Sequence, residues 1–72
     1  MKVEEIGTYA GVVWQALSVS EAVGTKQLKK MTKLKDKELY AALGWLGREG
    51  KIDIQSNPDD AKELLVLLTQ EQ

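Results

Sequence analysis

The apolar periodicity of this chain changes at Gly50, and the change limits the folds that the chain can adopt. Before Gly50, apolar residues recur every three or four positions, which is the spacing of amphipathic helices. After it, residues 51–55 alternate between polar and apolar side chains, which is the spacing of a half-buried strand. Gly50 itself is predicted to lie just past a helix C-terminus. The sequence therefore predicts helices followed by a small antiparallel β-sheet.

Three helices are predicted, over residues 3–17, 25–32 and 36–49. Thr25 is predicted as the N-cap of the second helix, because a threonine hydroxyl can accept a hydrogen bond from the helix N-terminus. Residues 33–35 form a tight turn, in which Leu34 is expected to reach the core. The apolar stripes that should face the core are Ile6, Ala10, Val13 and Leu17, then Leu28 and Met31, then Leu39, Ala42, Leu43 and Leu46.

Two strands are predicted after the helices, over about residues 51–55 and 63–69. The residues between them, Ser56 to Asp60, have the composition of a turn. Residues 61–65 are also good helix sequence, but their position after a strand and a turn favours the return strand of a hairpin. Residues 18–24 are predicted as a linker, with strand-like residues near Val23. All 72 residues are expected to form a single domain.

Composition excludes several classes of function. The chain contains no cysteine and no histidine, which removes disulfides, thiolate chemistry and nearly every zinc or haem site. It has no glycine-rich phosphate loop, so neither enzymatic activity nor a cofactor is expected, and no small-molecule substrate is evident. No apolar run reaches the roughly 18 residues that a membrane span needs, and the N-terminus lacks a signal peptide. A cytoplasmic protein is expected.

Lysines are concentrated in one segment of a chain whose net charge is −1. Six of them lie within twelve residues, opposed in that segment only by Asp36, on a predicted helix, a turn and the start of the next helix. Such a cluster either contacts nucleic-acid phosphates or forms a solvated helix face, and the residues alone leave both interpretations open. The six are Lys26, Lys29, Lys30, Lys33, Lys35 and Lys37.

Three helices and a hairpin, with a short turn between the second and third helices, follow the winged helix-turn-helix plan. Residues 6–17, 27–30 and 37–52 resemble a family of small stand-alone bacterial winged helix-turn-helix proteins from gut anaerobes such as Bacteroides. The resemblance implies a mainly α fold with a small antiparallel β-sheet. It also implies binding to double-stranded DNA, as a transcriptional regulator or an accessory to one.

In winged-helix DNA-binding proteins the third helix enters the major groove. The resemblance therefore implies that the six lysines hold the DNA backbone, while the outer face of the third helix meets the groove. That face would carry Lys37, Tyr40, Ala41, Gly44 and Arg48. Few of these side chains are usual base-reading groups. The expected wing tip, residues 57–60, carries two carboxylates, which would repel phosphates.

A second interpretation is a protein-interaction or dimerisation module. If Tyr40, Ala41, Gly44 and Trp45 are exposed together, they form an apolar patch around Gly44 and Gly47, and such patches bind proteins. Alternatively Tyr40, Trp45 and Trp14 contribute to the core. Gly7 and Gly11 in the first helix each cost about 1 kcal/mol of helix stability relative to alanine. That cost suggests a close neighbour, either another helix of the chain or a second copy.

Overall fold

The structure is a computed structural model that describes residues 1–69. Its elements are α1 (Val3–Ser18), β1 (Val23–Gly24), α2 (Thr25–Thr32), α3 (Asp36–Arg48), β2 (Ile52–Asn57) and β3 (Asp60–Leu68). The predicted three helices and antiparallel sheet are confirmed, in the arrangement of a winged helix-turn-helix. None of the helices in this part of the chain is long and apolar enough to cross a membrane. The last residues of the predicted domain, 70–72, lie outside the described residues.

The sheet has three antiparallel strands in the order β1-β3-β2. The hairpin of β2 and β3 is the wing, and residues 61–65, which were also compatible with a helix, lie in its second strand. Val66 in the central strand pairs with Ile54 on one side and with Val23 on the other. The short strand β1 thus joins the segment before α2 to the wing. This connection places the start of α2 beside the wing.

The core takes one buried face from each helix and one residue from each strand. Its members are Ala10, Val13 and Leu17 of α1, Leu28 of α2, Leu39, Ala42, Leu43 and Leu46 of α3, and Val23, Ile52 and Val66 of the strands. Leu34 packs against this cluster, as predicted for the turn between α2 and α3. Ile6 is half-buried, and Met31 is 37% exposed, so the prediction that Met31 faces inward is wrong. The eight-residue α2 therefore reaches the core chiefly through Leu28.

Glutamates stabilise the first turns of the two longer helices. The Glu5 carboxylate accepts a hydrogen bond from the Lys2 backbone N–H at 2.9 Å, and Glu38 accepts one from the Lys35 backbone N–H at 2.9 Å. Each contact is the glutamate half of a capping box; the N-cap residue is a lysine in both cases, and its side chain has no acceptor for the other half. At its other end α3 stops at Arg48, and Gly50 has φ 72°, the left-handed conformation predicted for it.

Candidate nucleic-acid interface

The turn between α2 and α3 is held in one conformation by local hydrogen bonds and by Leu34. The Thr32 hydroxyl donates to the Leu28 carbonyl at 2.9 Å and accepts from the Leu34 backbone N–H at 3.3 Å. Because Leu34 is packed inward, its two neighbours, Lys33 and Lys35, project from the surface and are exposed. The turn therefore presents lysines on a rigid support.

Lys33 adopts a conformation that lysine rarely takes. It is the C-cap of α2, with φ 61° and ψ 22°, and its N–H donates to the Lys29 carbonyl at 2.8 Å. Glycine or asparagine usually occupies such a left-handed position, and another residue there costs roughly 1 kcal/mol. Lysine at this position is therefore unfavourable for the backbone, which suggests that its side chain has a use.

All six clustered lysines are exposed, but they do not have the same partners. The Lys26 ammonium lies 3.0 Å from Asp60 of the wing, and the Lys29 ammonium lies 2.8 Å from Asp36 at the start of α3. The other four form no ion pair among residues 1–69. These four are Lys30, Lys33, Lys35 and Lys37.

A set of polar contacts, here called the wing clasp, joins the wing to the start of α2. The Glu63 carboxylate accepts hydrogen bonds from the Lys26 backbone N–H at 3.0 Å and from the Asn57 side-chain amide at 3.2 Å. Asp60 adds the ion pair with the Lys26 side chain.

The prediction that Thr25 is the N-cap of α2 is wrong: Gly24 is the N-cap, and Thr25 is a buried residue of the first turn. The acceptor at this helix N-terminus comes instead from β3.

Gly24 makes room for the wing clasp. A Cβ atom at this position would overlap the Glu63 carboxylate. Glycine lacks that atom, so the carboxylate can approach the first turn of α2, where the positive end of the helix dipole also favours a negative charge. Gly24 therefore permits a contact between residues that are distant in the sequence, and a larger residue here would push the end of the Glu63 side chain aside.

The ion pair of the wing clasp shifts the ionisation of both partners. The hydrogen bond from Lys26 lowers the pKa of the Asp60 carboxyl, and the Lys62 backbone N–H, 3.0 Å away, lowers it further. The hydrogen bond to Asp60, with its negative charge, raises the pKa of Lys26. Both groups are therefore held in their charged forms at neutral pH. One lysine here faces two carboxylates, so the start of α2 attracts phosphates less than its sequence suggested.

The outer face of α3 is open to solvent along its length. Lys37, Gly44 and Arg48 are exposed, Tyr40 is 49% exposed, and Ala41 is half-buried. Small residues lie in the middle of this face, with a cationic side chain near each end. Such a surface can approach a DNA groove closely, but it offers few groups that distinguish bases.

Trp45 lies at the margin of α3 that faces α1. It is 43% exposed and lines a cavity of about 310 Å³ together with Gly7, Gly11 and Trp14 of α1. Of the residues of the predicted patch on α3, only Trp45 lines this cavity; Tyr40, Ala41 and Gly44 lie outside it. A Cβ atom at Gly7 or Gly11 would meet nothing within 4 Å. No helix within residues 1–69 fills the space beside the two glycines.

The sequence placed carboxylates at the wing tip, but it did not show that Asp60 and Glu63 contact the start of α2. The Lys26–Asp60 and Lys26–Glu63 contacts join residues that are 34 and 37 positions apart. The local signal was Gly24, which stands where a capping side chain is usual, directly before a helix. Gly24 has no side chain, so the backbone N–H groups at the start of α2 need a hydrogen-bond acceptor from elsewhere. The sequence does not show which residue supplies it.

A family model described as a winged helix-turn-helix domain (DUF2582) matches residues 1–68. Comparison with curated protein sequences gave no significant match. Among solved structures the chain is similar to PcaV, a transcriptional regulator from Streptomyces coelicolor, with 23% identity and a TM-score of 0.80 over 85% of this chain and 45% of that one.

Two further solved structures are similar. A mutant MarR from E. coli complexed with operator DNA shows 24% identity and a TM-score of 0.77, over 88% of this chain and 44% of that one. BpsR from Bordetella bronchiseptica, whose DNA binding is regulated by 6-hydroxynicotinic acid, shows 22% identity and a TM-score of 0.76, over 86% and 47%. The chain therefore spans slightly less than half the length of these structures, and the likeness is one of fold.

Proposed function

The chain belongs to the winged helix-turn-helix domain family DUF2582, and from this premise we propose that it binds double-stranded DNA. Its role is that of a transcriptional regulator or an accessory to one, without enzymatic activity. The operator-bound MarR with the same fold supports this proposal. We propose that the binding unit is a single domain formed by residues 1–72.

The observation that carries the proposal is the exposed lysine surface at the turn between α2 and α3. Lys30, Lys33, Lys35 and Lys37 are exposed and have no ion-pair partner among residues 1–69. Lys33 is retained in a left-handed conformation that glycine would adopt at lower energy. A rigid turn that presents unpaired cations suits the sugar-phosphate backbone, which supplies most of the affinity of such domains.

In this proposal α3 enters the major groove, as the corresponding helix does in helix-turn-helix proteins. Ala41 and Gly44 allow the helix backbone to approach the base edges, because they carry little or no side chain. Lys37 and Arg48 offer hydrogen-bond donors, and Tyr40 offers a hydroxyl and a ring face. With so few base-reading groups, we expect weak sequence preference and strong dependence on salt.

The wing clasp gives the lysines unequal roles. Lys26 is held by Asp60, and Lys29 by Asp36. Ion pairs at a protein surface are weak, so the neighbouring carboxylate reduces the attraction of Lys26 and Lys29 for phosphate without blocking them. We therefore assign the principal phosphate contacts to the four unpaired lysines, and lesser contacts to Lys26 and Lys29.

The test is a titration of a fluorescent random-sequence DNA duplex with the full chain and two charge-reversal variants. Lys35→Glu removes a turn lysine, and Lys2→Glu is its matched control. Each residue is an exposed helix N-cap whose backbone N–H donates to a glutamate three residues later at 2.9 Å. Both changes alter the net charge equally.

We expect Lys35→Glu to weaken DNA binding about tenfold and Lys2→Glu to change it less than about twofold. Equal effects of the two variants would mean that overall charge, rather than the turn, governs binding. If the unmodified chain does not bind the duplex at low salt, the proposal fails. The protein-interaction interpretation would then be preferred.

A further inference from the structure

We propose that a second copy of this chain docks in the cavity between α1 and α3, here called the tryptophan groove. Its floor and walls include Gly7, Gly11 and Trp14 of α1 and Trp45 of α3, and Glu49 and Lys51 lie at its edge. Its volume is about 310 Å³. None of the residues assigned to DNA contact lines it, so the inference goes beyond the proposed function.

The groove leaves two large aromatic side chains incompletely buried. Trp14 and Trp45 are the only tryptophans of the chain, and each is 43% exposed. Roughly 100 Å² of surface is therefore left uncovered on each ring. Val3 lies on the same side of α1 as Trp14 and is 71% exposed. Exposed aromatic side chains of this size are frequent in protein interfaces.

The occupant must fill the space beside Gly7 and Gly11. A Cβ atom at either position would meet nothing within 4 Å, so the fold of one copy gives no packing reason for either glycine. Glycine in a helix interior lowers helix stability relative to alanine. The two positions are four residues apart and so lie on the same face of α1, where together they form a shallow hole that can accept a side chain from another molecule.

A second copy fits because the protruding side chain, Trp14, and the hole beside Gly7 and Gly11 lie on the same surface of α1. In a two-fold dimer each patch must be complementary to itself, since residue i of one copy meets residue j of the other and the reverse. Trp14 is three residues from Gly11 and seven from Gly7, which places it about 4.5 and 10.5 Å further along the helix. Two α1 helices that cross antiparallel would therefore place each Trp14 over the glycines of the other.

The charges at the edge of the groove are also self-complementary. Glu49 and Lys51 are exposed, and neither forms an ion pair among residues 1–69. A two-fold axis brings Glu49 of one copy toward Lys51 of the other, and it forms this pair twice. An unrelated partner would have to supply both charges in matching positions. A second copy supplies them through the symmetry.

Dimerisation through this groove leaves the lysine surfaces of both copies free. A dimer would present two turns and two α3 helices to DNA, as dimeric helix-turn-helix proteins do with paired half-sites. Dimerisation is tested without DNA, however. A chain that stays monomeric and a chain that does not bind DNA are therefore separate results.

The experiment is sedimentation equilibrium of the full chain between about 1 μM and about 1 mM, with tryptophan emission recorded over the same range. We expect a monomer–dimer equilibrium and a blue shift of emission as the two rings become buried. Gly11→Gln should raise the dimer dissociation constant at least about tenfold, because the side chain fills the hole. Gly47→Gln is the matched control, since that glycine is also helical and open but lies outside the groove.

A charge swap provides a second test that does not depend on the glycines. Glu49→Lys should weaken the dimer by placing like charges together, and adding Lys51→Glu should restore it. A monomer at about 1 mM would overturn the proposal, as would a dimer that is equally strong in Gly11→Gln and Gly47→Gln. Failure of the charge swap to restore the dimer would overturn the two-fold arrangement.

Discussion

The two ends of the lysine cluster look alike in sequence and differ in the folded chain. At the start of α2, Lys26 is surrounded by acceptors from the wing: its backbone N–H bonds to Glu63 at 3.0 Å, and its side chain pairs with Asp60 at 3.0 Å. At the turn, Lys33 and Lys35 project into solvent with no ion-pair partner among residues 1–69. One end is used to hold the wing, and the other is available to a ligand.

This difference shows that charge density along a sequence does not measure charge available at a surface. A carboxylate that arrives from a distant strand cancels part of a basic cluster, and periodicity in the helices gives no sign of it. Within the lysine cluster, the unpaired cations lie at the end of α2, in the turn and at the start of α3. That is where a helix-turn-helix would place its phosphate contacts.

The largest expected effect is on the clasped end. Glu63→Ala removes the acceptor for the Lys26 backbone N–H and for Asn57, and we expect it to lower the free energy of unfolding by about 1 kcal/mol. Glu63→Gln keeps an acceptor oxygen and should lose less than half of that. Urea denaturation of the three proteins measures the difference. Equal losses in the two variants would mean that the negative charge of Glu63, rather than an acceptor oxygen, carries its contribution to stability.

Gly24→Ala tests the same contact from the other side. Its Cβ would displace the Glu63 carboxylate, so it should destabilise the unmodified chain by about 1 kcal/mol and have a smaller effect in the Glu63→Ala background. Additive losses in the double variant would contradict this explanation for Gly24.

A smaller effect, of opposite sign, is expected at the open end. Lys33→Gly should raise the free energy of unfolding by up to about 1 kcal/mol, because glycine adopts the left-handed conformation without steric strain. The same change should weaken DNA binding, because it removes an unpaired cation. Urea denaturation and a duplex titration measure the two effects. A stabilised variant with unchanged DNA affinity would mean that the Lys33 side chain has no role in binding.

A still smaller effect is expected from the carboxylates of the wing, which repel phosphates. Asp60→Asn should strengthen DNA binding about two- to threefold, because Lys26 is released and one carboxylate is removed. Asp59→Asn is the control: it removes the same charge from the adjacent residue, which forms no ion pair among residues 1–69. If both variants bind DNA equally well, release of Lys26 has no effect beyond the change in charge.

The smallest effect is the pH dependence of the wing clasp. The pKa of Asp60 is lowered in the folded chain, so its contribution to stability is present above the unfolded pKa of about 3.9 and is lost as the pH falls through the folded value. An NMR titration should therefore show Asp60 protonating below its ordinary range. Asp60→Asn should remove this acid-dependent loss of stability.

The elements of this fold could be predicted because each has a local signal. The stripe of Leu39, Leu43 and Leu46 identified α3, and the alternation after Gly50 identified the wing. The N-cap of α2 could not be predicted in this way. Thr25 has the better capping side chain, but the fold buries it and supplies Glu63 from β3 instead.

The functional surface was predicted only in part. The exposure of the lysines and of the outer face of α3 follows from helical periodicity. Which lysines are unpaired depends on contacts such as Lys26–Asp60, which link segments 34 residues apart and are set by the sheet register. The open space beside Gly7 and Gly11 likewise became visible only when the positions of all three helices were known.

The most direct test of the account is the salt dependence of DNA binding for two double variants. Lys33→Ala with Lys35→Ala removes two unpaired lysines, and Lys26→Ala with Lys29→Ala removes two paired ones. We expect the slope of log affinity against log salt to become shallower by about 2 per chain in the first variant and by less than about 1 in the second. Equal changes in the two variants, or a larger change in the second, would contradict the division of the lysines into paired and unpaired residues.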